Sequence, residues 1–204
     1  MSMIYKTFLK EESQATLNIF DLDDTLFHTK AKVKVIKNNK VVRELEASEY
    51  NNDKLNPGES YDYGQFRSAE VFKKTATPIG RMVGKLKTVI RNITTEKSKV
   101  IIVTARKDFD NKQLFLNTLE SYGIDINKLY IERAGNLELG SSAKNKRFIF
   151  HKYLRGGRFM KIRLFDDSVK NLNSFLALQK LYSDYKFEAW QVNKNGTVER
   201  FKHL

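Results

Sequence analysis

The sequence lacks cysteine and contains only two prolines among its 204 residues. The absence of cysteine excludes disulfide bonds, thiolate catalysis and cysteine-based zinc sites. The longest apolar runs have four residues, as in Val100-Ile101-Ile102-Val103, and are far too short to span a membrane. Residues 1–10 show no apolar core of a signal peptide. The sequence therefore predicts a cytoplasmic (intracellular) protein that does not associate with a membrane.

Acidic residues are in short supply relative to basic ones. Lysine and arginine number 37 against 24 aspartate and glutamate residues, which gives a formal net charge of +13. An excess of this size favours an anionic partner, with nucleic acid first and a phosphorylated small molecule second. The hydrophobic share of 41% supplies enough material for a real core, which excludes a disordered chain.

Short apolar segments alternate with helix-like segments along the chain. The predicted strands are residues 16–20, 100–103, 128–131, 161–165 and 187–192, and the predicted helices are residues 108–122, 141–155 and 169–182. This alternation predicts an α/β fold with a doubly wound, mainly parallel, Rossmann-like sheet that carries helices on both faces. We expect residues 1–204 to form a single domain of this kind.

An insertion of about residues 28–97 interrupts the alternation between the first two core strands. It opens with the period-two pattern of residues 30–35, then the polar pair Asn38-Asn39 and the apolar pair Val41-Val42, which together predict a β-hairpin. A turn-rich stretch, residues 51–64, precedes a helix pattern that runs from Phe66 towards Ile90. Because ligands bind at the carboxyl edge of open α/β sheets, we expect part of this insertion to form a flap or small cap over that edge.

Two acidic clusters follow predicted strands. The first is Asp21-Leu22-Asp23-Asp24-Thr25, and the second is Asp166-Asp167 after the fourth strand. Carboxylates this close together repel one another unless a cation or donor groups offset their charge. The first cluster taken alone also fits an acidic surface turn, but an EF-hand loop is excluded because Leu26 stands where that loop needs glycine. Two clusters at the same edge of one sheet indicate a site.

Further polar residues fall near the same edge. Thr104 ends the second strand and Arg106 follows it, while Lys144 opens a predicted helix upstream of the fourth strand, with Lys146 as its alternative. Each has an ordinary structural explanation, as a strand-end hydroxyl, a surface charge or one of many lysines. Their joint occurrence in this order is what favours a functional site.

These residues resemble the four motifs of the haloacid dehalogenase (HAD) superfamily of phosphotransferases. The motif Asp-x-Asp-x-Thr is present as Asp21 to Thr25, and Thr104 matches the second motif. Lys144 would be the basic third motif and Asp166-Asp167 the acidic fourth. The resemblance covers about residues 14–28 and 98–192 and leaves the insertion unassigned.

The resemblance implies the chemistry. Asp21 would attack phosphorus and form an aspartyl-phosphate, and Asp23 would act as general acid and then as general base. Thr104 and Lys144 would hold the phosphoryl oxygens. The ligands of Mg²⁺ would come from the two acidic clusters, namely Asp21, the backbone carbonyl of Asp23, Asp166 and Asp167. The candidate substrate contacts are Thr25, His28 and Arg106.

An acid at Asp23 favours phosphatase over dehalogenase chemistry within this family. Residues 141–165 carry eight lysines and arginines and no acid, and residues 30–43 carry six and none. These charges fit either a basic rim around the site or a solvated basic surface without a specific partner. The predicted function is hydrolysis of a phosphate monoester on a DNA or RNA end or on a nucleotide. A phosphatase for a sugar or nucleoside phosphate, and a non-catalytic nucleic-acid-binding protein on the same scaffold, are the alternatives.

Overall fold

A six-stranded sheet forms the centre of the computed structural model, which describes residues 15–50, 53–93, 97–157 and 159–202. The strands are β1 (Thr16–Phe20), β2 (Phe27–His28), β3 (Val33–Lys37), β4 (Lys40–Leu45), β5 (Glu59–Asp62), β6 (Thr77–Pro78), β7 (Lys99–Thr104), β8 (Tyr130–Arg133), β9 (Lys161–Asp166), β10 (Lys186–Val192) and β11 (Val198–Phe201). The strand order of the central sheet is β11-β10-β9-β1-β7-β8; five of its strands are parallel and only β11 is antiparallel to its neighbour. The helices are α1 (Ala47–Tyr50), α2 (Gly64–Arg67), α3 (Ala69–Thr75), α4 (Gly80–Arg91), α5 (Lys112–Ser121), α6 (Ser142–Gly156) and α7 (Val169–Leu176).

The central sheet is covered on both faces. Side chains alternate along β1, so that Leu17 and Ile19 enter one hydrophobic cluster with α6 and α7, whereas Phe20 enters another with α4 and α5. The chain is therefore a mixed α/β structure built on a mainly parallel sheet. Within the described ranges no helix combines the length and apolarity needed to cross a membrane.

Three predicted core elements differ from the structure by two or more residues at an end, and one strand of the central sheet was not predicted. The third core strand begins two residues later than predicted, because Asp125 accepts a hydrogen bond from Asn127 N and starts a 3₁₀ turn there. The helix predicted from residue 108 begins at Lys112, because the side chain of Asn111, accepting from Leu114 N, is its N-cap. The last predicted helix ends at Leu176 and continues as a 3₁₀ turn, and the final strand β11 was not predicted.

The hairpin of the insertion has the predicted form. Asn38 and Asn39 both have positive φ, 49° and 61°, as a two-residue turn of type I′ requires. The turn-rich stretch predicted at residues 51–64 has a turn at Pro57-Gly58, but it also contains β5, which pairs with β3 and was not predicted; residues 51 and 52 lie outside the described residues. The single helix predicted from Phe66 was wrong: Ser68 caps a new helix, and β6, which contains Pro78, separates α3 from α4.

Candidate active site

The carboxyl ends of β1 and β9 bring the two acidic clusters together. These strands pair in parallel with Phe20 opposite Phe165, and Asp21 N donates a hydrogen bond to Phe165 O at 2.9 Å. One carboxylate oxygen from each of Asp21, Asp166 and Asp167 lies within 4.8 Å of the others. Asp21 and Asp166 are buried, and Asp167 is partly exposed.

The ammonium group of Lys146 lies between two of these carboxylates. Its Nζ donates to Asp21 Oδ1 at 2.6 Å and to Asp166 Oδ2 at 2.8 Å, and the side chain is 2% exposed. Burial on its own would lower the pKa of Lys146, but the charges of Asp166 and Asp21 outweigh burial and raise it. Lys146 therefore remains a cation inside the cluster.

The structure corrects the position of the basic residue. Lys144, which was expected to bind phosphate, is exposed; its backbone N donates to Ser141 Oγ at 3.3 Å, and its side chain forms no salt bridge within the described residues. Residues two apart on a helix point about 200° apart, so Lys144 and Lys146 cannot both face the sheet. It is the alternative, Lys146, that joins the acidic cluster.

Asn171 holds Asp166 in place and was missed by the sequence analysis. Its Nδ2 donates to Asp166 Oδ1 at 2.9 Å, and Ser168 N donates to the same oxygen at 2.9 Å. Asn171 lies on the apolar face of α7, beside Leu172 and four residues before Phe175. A buried amide usually has a hydrogen-bond partner, so an asparagine on an apolar face five residues after Asp166 was the available signal.

The acidic cluster fits a bound cation. Burial raises the pKa of Asp21 well above its usual value, with Asp166 and Asp167 adding to this and Lys146 opposing it. Burial, and then Asp166, raises the pKa of Asp167 to about 7. One ammonium thus leaves the three carboxylates short of positive charge, and an all-oxygen donor set suits Mg²⁺. The carboxylate of Asp23 is not part of this group in the described residues.

Asp23 is instead held by Arg106. The guanidinium donates from Nε to Asp23 Oδ2 at 2.9 Å and from Nη2 to Oδ1 at 2.6 Å, while Nη1 donates to Phe66 O at 3.0 Å. Arg106 is buried, which contradicts its interpretation as a surface charge, and its contact with a substrate stays a prediction. The forked pair fixes the position of the Asp23 carboxylate beside the acidic cluster.

Two hydroxyl groups were predicted at the site. Thr104 is buried at the end of β7, and its Oγ1 accepts a hydrogen bond from Arg106 N at 3.1 Å. This contact shapes the loop that carries Arg106. Thr25 is buried as well, and its hydroxyl has no hydrogen-bond partner in the described part of the chain.

His28 connects the loop after β1 to the turn between β10 and β11. Its Nδ1 lies 2.8 Å from Asp24 Oδ1 and its Nε2 lies 2.9 Å from Lys194 O. Both partners are acceptors, so the two hydrogen bonds form together only when both ring nitrogens carry a proton, and the hydrogen bond to Asp24 raises the pKa of His28. This ring is engaged on both sides by the protein itself.

A pocket of about 230 Å³ opens beside Asp23. Phe66 and Glu46 of the insertion, His28 and Lys194 contribute to its wall. Pockets that enclose drug-sized ligands have volumes of roughly 300–1,000 Å³. The pocket is therefore smaller than the usual site of a drug-sized ligand.

Comparison of the sequence with protein-family models finds no match, and a search of curated proteins finds no match either.

Proposed function

We propose that the protein is a Mg²⁺-dependent phosphatase that hydrolyses a phosphate monoester through an aspartyl-phosphate on Asp21. The observation that supports this most is the contact of Lys146 with both Asp21 and Asp166, beside Asp167, at the carboxyl edge of the sheet. An ordinary buried ion pair has no need of two further carboxylates. A site that receives a cation and an anionic phosphate does.

In the first step a carboxylate oxygen of Asp21 forms a bond to phosphorus as the ester P–O bond breaks. Asp23 gives its proton to the leaving oxygen. Lys146, with the hydroxyl of Thr104, holds phosphoryl oxygens while negative charge spreads over them. Mg²⁺ held by Asp21, the backbone carbonyl of Asp23, Asp166 and Asp167 would screen the repulsion between the attacking carboxylate and the phosphate.

In the second step water attacks phosphorus and Asp23 takes the proton of that water. The Asp21–phosphorus bond breaks, which releases inorganic phosphate and regenerates both aspartates. Arg106 keeps the Asp23 carboxylate at one position through both steps, because its forked contact fixes two oxygens at once. Asp23 also lines the 230 Å³ pocket, and this supports placing the leaving group there.

The arrangement of the sheet supports a doubly wound, Rossmann-like fold of HAD type as the scaffold. The insertion would act as the flap or cap, since its residues Glu46 and Phe66 line the pocket beside Asp23. A nucleotide or the end of a nucleic acid is the proposed substrate. The formal charge of +13 and the size of the pocket favour one terminal nucleotide as the group next to the phosphate.

The test is phosphate release, with and without EDTA, from a 3′-phosphorylated oligonucleotide, a 5′-phosphorylated oligonucleotide and a nucleoside 3′-monophosphate. The D21N variant should lose at least about a thousandfold in rate because the nucleophile is gone. D184N, an exposed aspartate without a salt bridge in the described chain, is the matched control and should keep full activity.

Release that persists in D21N would contradict the mechanism. Binding of the oligonucleotide without any turnover by the parent protein would favour a binding protein on this scaffold. Faster release from the monophosphate than from either oligonucleotide would favour a small-molecule phosphatase.

A further inference from the structure

Helix α6 carries a basic face that points away from the sheet. Its inner side buries Lys146, Ile149, Phe150 and Leu154. The outer side shows the spacing i, i+4, i+7 and i+11, which is one stripe of a helix. The residues of this outer stripe are Lys144, Phe148, His151 and Arg155, with Arg147 alongside.

The positive charge of the outer stripe is not offset by acids. In the part of the chain that the structure describes, Lys144, Arg147 and Arg155 form no salt bridge. No aspartate or glutamate occurs from residue 141 to residue 165. Burial lowers the pKa of His151, and the nearby charges of Arg147 and Arg155 lower it further, in keeping with a locally positive surface.

The insertion differs from the outer stripe in this respect. Residues 30–62 contain seven lysines and arginines but also six acids. Arg43 forms ion pairs with Asp53 at 3.1 Å and Glu59 at 3.0 Å, and Lys34 faces Glu44 and Asp62 across the sheet. The insertion segment therefore carries a smaller excess of positive charge than the outer stripe, and Arg43 is ion-paired within it.

The outer stripe begins next to the catalytic edge. Lys146, in the first turns of α6, contacts Asp21, so Lys144 lies close to that edge and Arg155 lies about 16 Å further along the axis at 1.5 Å per residue. Phe148, whose residue surface is 53% exposed, lies between the cations. Cations interleaved with an exposed aromatic ring are the usual elements of a surface that binds single-stranded nucleic acid.

We propose that the outer stripe of α6 binds a single-stranded polynucleotide whose phosphorylated end lies at Asp21. The side chains of Lys144, Arg147 and Arg155 contact successive phosphates, and Phe148 stacks on a base. The polarity of the strand and its end chemistry rest on the proposed function, but the binding surface itself does not.

The test is the affinity of the full chain for a fluorescent single-stranded 10-nucleotide probe with a 3′-phosphate, measured by anisotropy in EDTA at several salt concentrations. R147Q/R155Q removes two charges from the stripe, and K37Q/K40Q removes two from the exposed tip of the hairpin. The stripe variant should bind about tenfold more weakly at low salt. The salt slope, which is the slope of the logarithm of affinity against the logarithm of salt concentration, should become shallower by about 1.4, because each phosphate contact contributes about 0.7 for single strands. The hairpin variant should bind as the parent does.

F148A separates stacking from charge. Loss of a stacked base should weaken binding about tenfold with no change of salt slope. Equal weakening by both double variants, or none by the stripe variant, would overturn the proposal. Tighter binding of a duplex of the same length would overturn the assignment to single strands. If the parent protein bound the probe but released phosphate from no substrate, the proposed function would be refuted and the proposed binding surface would be retained.

Discussion

Replacing Lys146 by methionine should destabilise the protein strongly. The ammonium is 2% exposed and makes contacts of 2.6 Å and 2.8 Å with two buried carboxylates, and Asp167 lies in the same cluster. Removing one partner of a buried ion pair typically costs about 3–5 kcal/mol, because the remaining charge is buried without compensation. For a chain of this size that loss corresponds to a fall in Tm of roughly 6–20 °C.

Lys144→Met is the matched control, since it removes the same group two residues earlier from the exposed side of the same helix. Urea unfolding of the parent and both variants in EDTA measures the difference directly. K144M should stay within about 0.5 kcal/mol of the parent, as exposed substitutions usually do. If K146M matched K144M, the ammonium would not hold the carboxylates together, and the charge balance inferred for the site would be refuted.

Two further predictions concern residues around the site and the sheet. An alanine Cβ at Gly135 would collide with Ala105 O and would lie 2.6 Å from the carbonyl carbon of Arg106. G135A should therefore lose about 1–3 kcal/mol of stability and lower the rate of phosphate release, whereas G156A, with open space at that position, should do neither. If G135A and G156A had the same rate of phosphate release and the same unfolding midpoint, this explanation would be refuted. Glu188 accepts a hydrogen bond from Arg163 at 2.9 Å. Burial acts to raise the pKa of Glu188, but the contact with Arg163 outweighs burial and leaves this pKa below the usual 4.5. The stabilisation by this contact is then complete above pH 4.5 and disappears as the pH falls through the lowered pKa of Glu188 in the folded protein. The difference in unfolding free energy between the parent and E188Q should therefore shrink from pH 7 to pH 3, and a constant difference would be inconsistent with this linkage.

Elements whose sequence pattern is local were predictable. Strand β1 and the Asn38-Asn39 turn have the predicted positions, since burial of side chains on both faces of a strand and a positive φ each demand particular residue types. The strands β5 and β11 were missed because both are short edge strands with polar residues, and their place depends on a partner strand elsewhere in the chain. Such pairing leaves little trace in a local pattern.

The residues of the site also differ in how far the local sequence predicts them. The positions of Asp21 and Asp166 followed from strand ends alone, whereas the roles of Lys146 and Arg106 depend on which way a side chain faces in three dimensions. Both are buried cations in a sequence rich in exposed ones, and composition does not distinguish the two kinds. Helical phase relative to the apolar positions Ile149 and Phe150 would have favoured Lys146 over Lys144.

The central position of β1 in the sheet has a consequence for the chain during its synthesis. β1 is made first among the core strands, yet its two partners, β7 and β9, begin 83 and 145 residues later, at Lys99 and Lys161. The ring of His28 meets Lys194 across 166 residues of sequence. The strand that precedes Asp21 therefore has no partner strand until about half of the chain has been synthesised, and its second partner, β9, follows later still. This interval is when the chain is most exposed to aggregation.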